Sequence, residues 1–121
     1  MKVLLINGSP HEKGCTYTAL SLIAKELNAG GIDTEILHVG GKPVGGCIGC
    51  GGCRKGEGCV FGGVVNEAIE KAKTADGFVF GSPVHYASAA GNMTSFMDRL
   101  AYAGGKYLAY KPAAICCSAR R

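Results

Sequence analysis

The chain has 121 residues and a mass of 12.4 kDa, and 47% of its residues are hydrophobic against 18% charged. That length predicts a single domain that buries roughly two thirds of the surface its unfolded chain would expose. No apolar run approaches the ~18 to 20 residues of a membrane span, and the first ten residues hold too few consecutive apolar positions for a secretion signal. We therefore expect a soluble, cytoplasmic protein with reduced thiols and no membrane partner. The net charge of +4 comes from scattered Lys and Arg, which does not indicate a nucleic-acid partner.

Short apolar runs alternate with segments of helical periodicity along the chain. Strands are predicted at residues 3–6, 34–39, 77–81 and 112–117, and helices around residues 20–27, 65–72 and 93–100. This βαβαβαβ order favours a parallel sheet with helices on both faces. Ligands of such sheets bind beyond the carboxyl ends of the strands, so the loops at residues 8–16, 82–90 and 118–121 are the candidate functional loops.

The first of these loops reads Gly8-Ser9-Pro10-His11-Glu12-Lys13-Gly14-Cys15-Thr16. Two hydroxyls and free backbone N–H groups at the start of a helix favour an anion there. The nucleoside-triphosphate pattern GxxxxGK[ST] fails, because the glycine spacing is one residue too long and Cys15 stands in the lysine position; GxGxxG is also absent. A single phosphomonoester remains as the candidate ligand, with a plain turn and helix cap as the alternative.

Residues 40–63 form a long connection without helical or strand periodicity, and they hold 11 of the 20 glycines. Within this connection, which we call the cysteine loop, four cysteines follow the spacing C-x2-C-x2-C-x5-C. Two-residue gaps let successive sulfurs turn toward one point, which suits a [4Fe-4S] cluster whose charge Arg54 and Lys55 would offset. Zinc fits this triple run less well, and zinc, free thiols or a disulfide remain alternatives. The metal-ligand candidates are Cys47, Cys50, Cys53 and Cys59.

Two further cysteines, Cys116 and Cys117, lie in the last apolar run of the sequence. Free cysteine behaves as a small hydrophobic residue, so we predict that both are core residues.

The three functional loops, in register and in this order, resemble the NAD(P)H-dependent FMN reductases of the flavodoxin-like fold. The first loop is similar to that family's phosphate loop, commonly GSPRxxGNT, with His11 in place of arginine and Cys15 in place of asparagine. The segment from Gly81-Ser82-Pro83-Val84-His85-Tyr86 to Asp98-Arg99 looks like GSPVYxxxxxxxLKxxxDR, whose loop lies along the flavin ring. Ser118-Ala119-Arg120-Arg121 resembles the loop near the pyrimidine edge. The cysteine spacing is similar to that of the iron-sulfur flavoproteins of the same superfamily.

The resemblance implies a flavodoxin-like, doubly wound parallel sheet of order 2-1-3-4 in three αβα layers, forming one FMN-binding domain over residues 1–121. Members of the family generally continue through a fifth strand and a last helix. We therefore expect either that this chain is a C-terminally truncated fragment or that its fourth strand is an open edge. An open edge invites pairing with another chain, so we expect a homo-oligomer, either a dimer or a tetramer.

The resemblance also implies an FMN-dependent oxidoreductase. It would take electrons from NAD(P)H and pass them to a flavin, a quinone, a nitroaromatic or an iron-sulfur acceptor, with no catalytic side chain. The implied FMN-binding residues are Ser9, His11, Cys15, Thr16, Pro83, Val84, His85, Tyr86, Ser118 and Arg120.

Two other functions remain open from the sequence. A flavodoxin-like electron carrier would bind FMN without turning over NAD(P)H, but such small carriers are usually acidic and this chain is basic. A non-enzymatic metal-binding module would use the αβ framework only to display the cysteine loop.

Overall fold

The computed structural model describes residues 1–120 and contains strands, helices and one short turn of 3-10 helix. Arg121, the end of the last predicted loop, lies outside the described residues. In chain order the elements are β1 (Lys2–Asn7), α1 (Cys15–Ala29), β2 (Asp33–His38), the 3-10 helix (Gly52–Arg54), α2 (Val64–Thr74), β3 (Gly77–His85), β4 (Ser88–Ala89), α3 (Gly91–Leu108) and β5 (Ala113–Ser118). All seven predicted strands and helices are present.

Four parallel strands form the sheet in the order β2-β1-β3-β5. This confirms the predicted order 2-1-3-4, because β5 is the fourth strand of that prediction. Asn7 at the end of β1 lies opposite His38 of β2 on one side and Gly81 of β3 on the other. The carboxyl ends of these strands therefore meet at one edge of the sheet, and the candidate loops leave from that edge.

The two faces of the sheet are covered by different helices, which gives the predicted three layers. Leu5 and Val79 point toward α1 and pack with Leu20, whereas Leu4 and Ile6 belong to the larger cluster with α2 and α3. At Gly104 of α3 an added Cβ would lie 2.8 Å from the Ile69 side chain of α2. Glycine at this position therefore allows the two helices on that face to pack closely.

The segment after residue 81 differs from the prediction of a loop over residues 82–90. Strand β3 continues to His85 and turns back through a two-residue hairpin into β4, with His85 opposite Ser88. The two turn residues, Tyr86 and Ala87, have φ angles of 46° and 67°. Such a turn usually contains Asn or Gly, and the absence of those residues explains why no hairpin was predicted here.

The burial of the last strand also differs from the prediction. Cys116 is half-buried and packs beside the α1 layer, but Cys117 is exposed and Ile115 is 83% exposed. The prediction that Cys117 is a core residue is wrong, because no element within residues 1–120 covers the side of β5 opposite α1. The same residues include no helix long and apolar enough to cross a membrane.

Candidate functional site

The loop between β1 and α1 is braced by buried polar side chains. Asn7 is fully buried; its Oδ1 accepts the backbone N–H of Ser9 at 3.1 Å, and its Nδ2 donates to the Glu12 carbonyl oxygen at 3.1 Å. Ser9 is also buried, and its Oγ accepts the backbone N–H of His11 at 3.1 Å. The side chains of Asn7 and Ser9 thus bridge most of the loop and hold it in one shape.

Helix α1 begins at this loop with its backbone donors available. The N-cap residue, Gly14, has no side chain to cap the helix, and the first turn contains no acidic residue. The first N–H groups of a helix have no intrahelical acceptor and carry the positive end of its dipole. Thr16 is 2% exposed, and its Oγ1 lies 3.0 Å from the Ser118 Oγ at the end of β5. The donors of this corner suit a phosphate group.

The three predicted loops adjoin one another at the carboxyl edge. The Gly8 backbone N–H donates to the Gly81 carbonyl oxygen at 2.8 Å, and Pro83 lies opposite Ser118 in the β3–β5 register. An added Cβ at Gly8 would lie 2.7 Å from the Met93 sulfur, so α3 also presses against the first loop. The structure thus brings together the backbone segments that were predicted to hold a flavin. Of the side chains named in that prediction, His11, Cys15, Val84, His85, Tyr86 and Arg120 are exposed and Pro83 is half-buried.

The hairpin after β3 is closed at its base by Ser82. This side chain is 8% exposed, and its Oγ accepts the Ala90 backbone N–H at 3.1 Å. The bond fixes the point at which α3 starts. Ser82 therefore links the two ends of the segment that was predicted to lie along a flavin ring.

The four cysteines of the cysteine loop line one cavity of about 670 Å³. Arg54, Arg99 and Tyr102 also line it, whereas Lys55, which was predicted to flank the site, is not among the lining residues. Within residues 1–120 no three His, Cys, Asp or Glu side chains are gathered as the ligands of a metal ion. The thiols therefore share a cavity, and their sulfurs would have to approach one another to hold a common centre.

Arg99 of α3 connects this cavity to the body of the protein. It is 7% exposed, and its Nε donates to the Cys59 sulfur at 3.3 Å. Its two terminal nitrogens donate to the carbonyl oxygens of Gly45, at 3.2 Å, and Gly62, at 3.1 Å. One buried guanidinium thus bonds to both ends of the cysteine loop and to one of its thiols.

The same guanidinium affects the ionisation of Cys59. Burial alone would raise the pKa of this thiol, but the Phe61 backbone N–H and Arg99 outweigh it, so the pKa is lowered. A lowered pKa favours the thiolate, which is the form that binds metals.

Two asparagines fasten the loop at its ends. Asn92 of α3 accepts the Val44 backbone N–H and donates to the carbonyl oxygens of Gly40 and Lys42. Asn66 of α2 accepts the Cys59 N–H at 2.7 Å and donates back to the Cys59 carbonyl oxygen at 2.9 Å. Cys59 is therefore the cysteine whose position is set from outside the loop.

The sequence reasoning did not single out Arg99, Asn66 or Asn92 as site residues. A signal was present for Arg99, which follows Phe96 by three residues and directly precedes Leu100. Both of these neighbours are buried, so a cation at that helical position falls within the apolar face. Asn66 and Asn92 carry no such signal, because polar residues are common near the ends of helices.

The sequence of this chain is similar to those of proteins named as iron-sulfur flavoproteins. An iron-sulfur flavoprotein of Methanocaldococcus jannaschii is 38% identical over 103 residues, which cover 82% of this chain and 51% of that protein. An iron-sulfur flavoprotein of Archaeoglobus fulgidus is 34% identical over 99 residues, covering 82% of this chain and 48% of its own length. The chain spans about half the length of these curated relatives.

Solved structures share the fold at low sequence identity. An NAD(P)H:quinone oxidoreductase from Methanothermobacter marburgensis superposes with a TM-score of 0.73 at 16% identity, over 98% of this chain and 66% of that one. The apo form of an NADH:FMN oxidoreductase gives a TM-score of 0.70 at 22% identity, over 99% of this chain and 59% of that one. The family model for NADPH-dependent FMN reductase matches residues 1–121. The chain belongs to the NADPH-dependent FMN reductase family.

Proposed function

We propose that this chain binds FMN at the carboxyl edge of its sheet. We propose that it acts as an oxidoreductase that transfers electrons from NAD(P)H to an acceptor. The observation that carries the proposal is the corner where Thr16 meets Ser118 beside the uncapped N-terminus of α1. This corner offers hydroxyls and backbone N–H groups to a phosphate, and the β3 segment that would flank a ring is in contact with it.

The residues of the chain bind and orient the cofactor in this proposal. Ser9, Thr16 and Ser118 would hold the phosphate, with His11 and Cys15 at the entrance to the loop. Pro83 to Tyr86 would lie along the ring, and Arg120 would close its pyrimidine side. Bound FMN supplies the redox chemistry, by taking a hydride from a nicotinamide and passing electrons on. No acid or base from the protein is needed for that transfer.

The phosphate corner can be tested by comparing two threonines of the same helix. Thr16→Val removes a buried hydroxyl from the corner, whereas Thr18→Val removes an exposed one that bonds only to the Gly14 carbonyl oxygen. We expect Thr16→Val to weaken FMN binding by roughly tenfold, as loss of one bond to a charged group would. Flavin fluorescence quenching measures the affinity. Equal affinities of the two variants, or no binding by the unaltered protein, would contradict the proposal.

We also propose that Cys47, Cys50, Cys53 and Cys59 hold a metal centre, with a [4Fe-4S] cluster favoured over zinc. Support comes from their shared cavity, from the lowered pKa of Cys59 and from the names of the curated relatives, which combine iron-sulfur with flavin. The glycines of the loop would let the sulfurs converge.

The metal proposal is tested by anaerobic reconstitution with iron and sulfide, and in parallel with zinc. We expect the unaltered protein to retain iron and sulfide in equal amounts. Cys59→Ser should lose them, whereas Cys117→Ser, which alters an exposed cysteine outside the cavity, should keep them. Retention of zinc alone, or iron content unaffected by Cys59→Ser, would overturn the proposal.

The electron acceptor is proposed to be a flavin, a quinone, a nitroaromatic or an iron-sulfur centre, and the protein to act as a homo-oligomer. Steady-state oxidation of NADH and NADPH by the FMN-loaded protein tests the enzyme itself. A protein that holds FMN but oxidises neither nucleotide with any acceptor would instead be an electron carrier.

A further inference from the structure

A histidine outside the predicted site is bonded to the backbone of the phosphate loop. His38, the last residue of β2, has its Nε2 2.8 Å from the Ser9 carbonyl oxygen. A carbonyl oxygen only accepts hydrogen bonds, so Nε2 carries the proton and donates it. This contact joins the edge strand β2 to a loop that leaves the neighbouring strand.

The imidazole ring is held in place by the glycines that follow it. An added Cβ at Gly41 would lie 2.6 Å from the His38 Cε1, so only glycine leaves room for the ring there. An added Cβ at Gly40 would overlap the carbonyl oxygens of Gly8 and Ser9. The backbone after β2 is thus packed against the phosphate loop, and His38 lies within that contact.

The direction of the bond matters for an anion in the loop. His38 belongs to β2, at one edge of the sheet, whereas Thr16 bonds to Ser118 on β5 at the opposite edge. The Ser9 carbonyl oxygen is therefore hydrogen-bonded on the β2 side of the loop. The Thr16 and Ser118 hydroxyls meet on the other side. A carbonyl oxygen free to turn toward a phosphate would repel it, because both carry negative charge.

We propose that His38 is a positioning residue for the phosphate group of FMN, acting by holding the Ser9 carbonyl oxygen out of the anion site. This inference rests on the proposed binding of FMN. It predicts that His38 affects the affinity for the phosphate group and leaves the affinity for the ring unchanged.

The test compares FMN with riboflavin, which has the same ring and no phosphate. His38→Leu removes the donor, and His38→Gln retains an N–H donor on a side chain of similar reach. Gly41→Ala keeps the histidine and displaces its ring. Thr34→Val serves as the control, because it removes a hydrogen bond from the other end of β2, to the Asn28 side chain.

We expect His38→Leu and Gly41→Ala to weaken FMN binding about tenfold, which is the loss of one buried hydrogen bond, with riboflavin binding unchanged. His38→Gln should recover most of the FMN affinity, and Thr34→Val should match the unaltered protein.

Unchanged FMN affinity in both His38→Leu and Gly41→Ala overturns the inference and leaves the proposed function intact. An equal loss for FMN and riboflavin also overturns it, because that result indicates a general structural role. Failure of the unaltered protein to bind FMN overturns the proposed function as well. If His38→Leu does not fold, the FMN and riboflavin affinities of Gly41→Ala are compared with those of His38→Gln instead.

Discussion

The Nε atom of Arg99 lies 3.3 Å from the Cys59 sulfur, and this contact joins the long helix α3 to the cysteine loop. The guanidinium is buried, whereas the other cation lining the cavity, Arg54, is exposed. A buried charge interacts more strongly than an exposed one, since less water screens it. Of the two cations that line the cavity, Arg99 is therefore the one that lowers the pKa of Cys59, together with the Phe61 backbone N–H.

Replacement of Arg99 by Gln should raise the pKa of Cys59, because burial then opposes the thiolate with less compensation. We therefore expect a slower alkylation of Cys59 by iodoacetamide at neutral pH, because a smaller fraction of this thiol is then ionised. Peptide mass spectrometry follows each cysteine separately. Arg54→Gln is the matched control and should leave the rate nearly unchanged; a similar slowing in both variants would show that Arg99 has no special role.

Replacement of Ala87 by Gly should stabilise the protein. Ala87 has a φ of 67° in the hairpin between β3 and β4, a conformation that costs an L-residue roughly 1 to 2 kcal/mol. Glycine avoids that cost but loses more conformational entropy on folding. We therefore expect the free energy of unfolding to rise by about 0.5 to 1 kcal/mol.

Chemical denaturation measures this gain, and a helix supplies the control. Ala101 is exposed within α3, and Ala101→Gly should destabilise the protein by about 1 kcal/mol. The same substitution should thus have opposite signs at the two positions. A loss of stability at both would show that the hairpin does not strain Ala87.

Replacement of Ile115 by Lys should reduce self-association. Ile115 lies on β5, which pairs only with β3 among the described residues, and its side chain is 83% exposed. A lysine on an edge strand disfavours pairing with another chain. We expect sedimentation velocity to show concentration-dependent association for the unaltered protein and less of it for Ile115→Lys. Leu22→Lys, on the exposed face of α1, should have no such effect.

Replacement of Glu35 by Gln should remove a pH-dependent part of the stability. Hydrogen bonds from Lys2, at 2.7 Å, and from Lys71 lower the pKa of this carboxyl. Because the pKa is lower in the folded state, the ionised Glu35 stabilises the protein at pH values above the unfolded pKa near 4.5. This stabilisation is lost as the pH falls through the folded-state pKa. The group is partly exposed, so we expect less than about 1 kcal/mol at neutral pH. Urea unfolding should show a difference in the free energy of unfolding between the two proteins at neutral pH. That difference should close as the pH falls below the unfolded pKa near 4.5 and through the lowered folded pKa.

The strands and helices could be predicted because their periodicity is local. Leu4 to Ile6 form a buried apolar run, which was sufficient to locate strand β1. Met93, Phe96 and Leu100 repeat at helical spacing, which was sufficient to locate helix α3. The hairpin at Tyr86 was not predicted, because its turn lacks the residues that usually mark one.

Burial and tertiary contacts were harder to predict than the elements. Whether Cys117 is buried depends on what covers β5, and residues close to it in sequence do not determine that. Likewise the contact between His38 and Ser9 joins residues 29 positions apart, and it exists only because β2 pairs with β1. The candidate loops could be named from the sequence, whereas the side chains that brace them could not.

The cysteine loop is bonded to helices α2 and α3 by Asn66, Asn92 and Arg99, none of which belongs to it. Its interior, from Ile48 to Gly56, can therefore change in length or composition while both anchoring points stay in place on their helices. This segment is therefore the place to graft other ligand sets while the scaffold of the proposed flavin site stays unchanged.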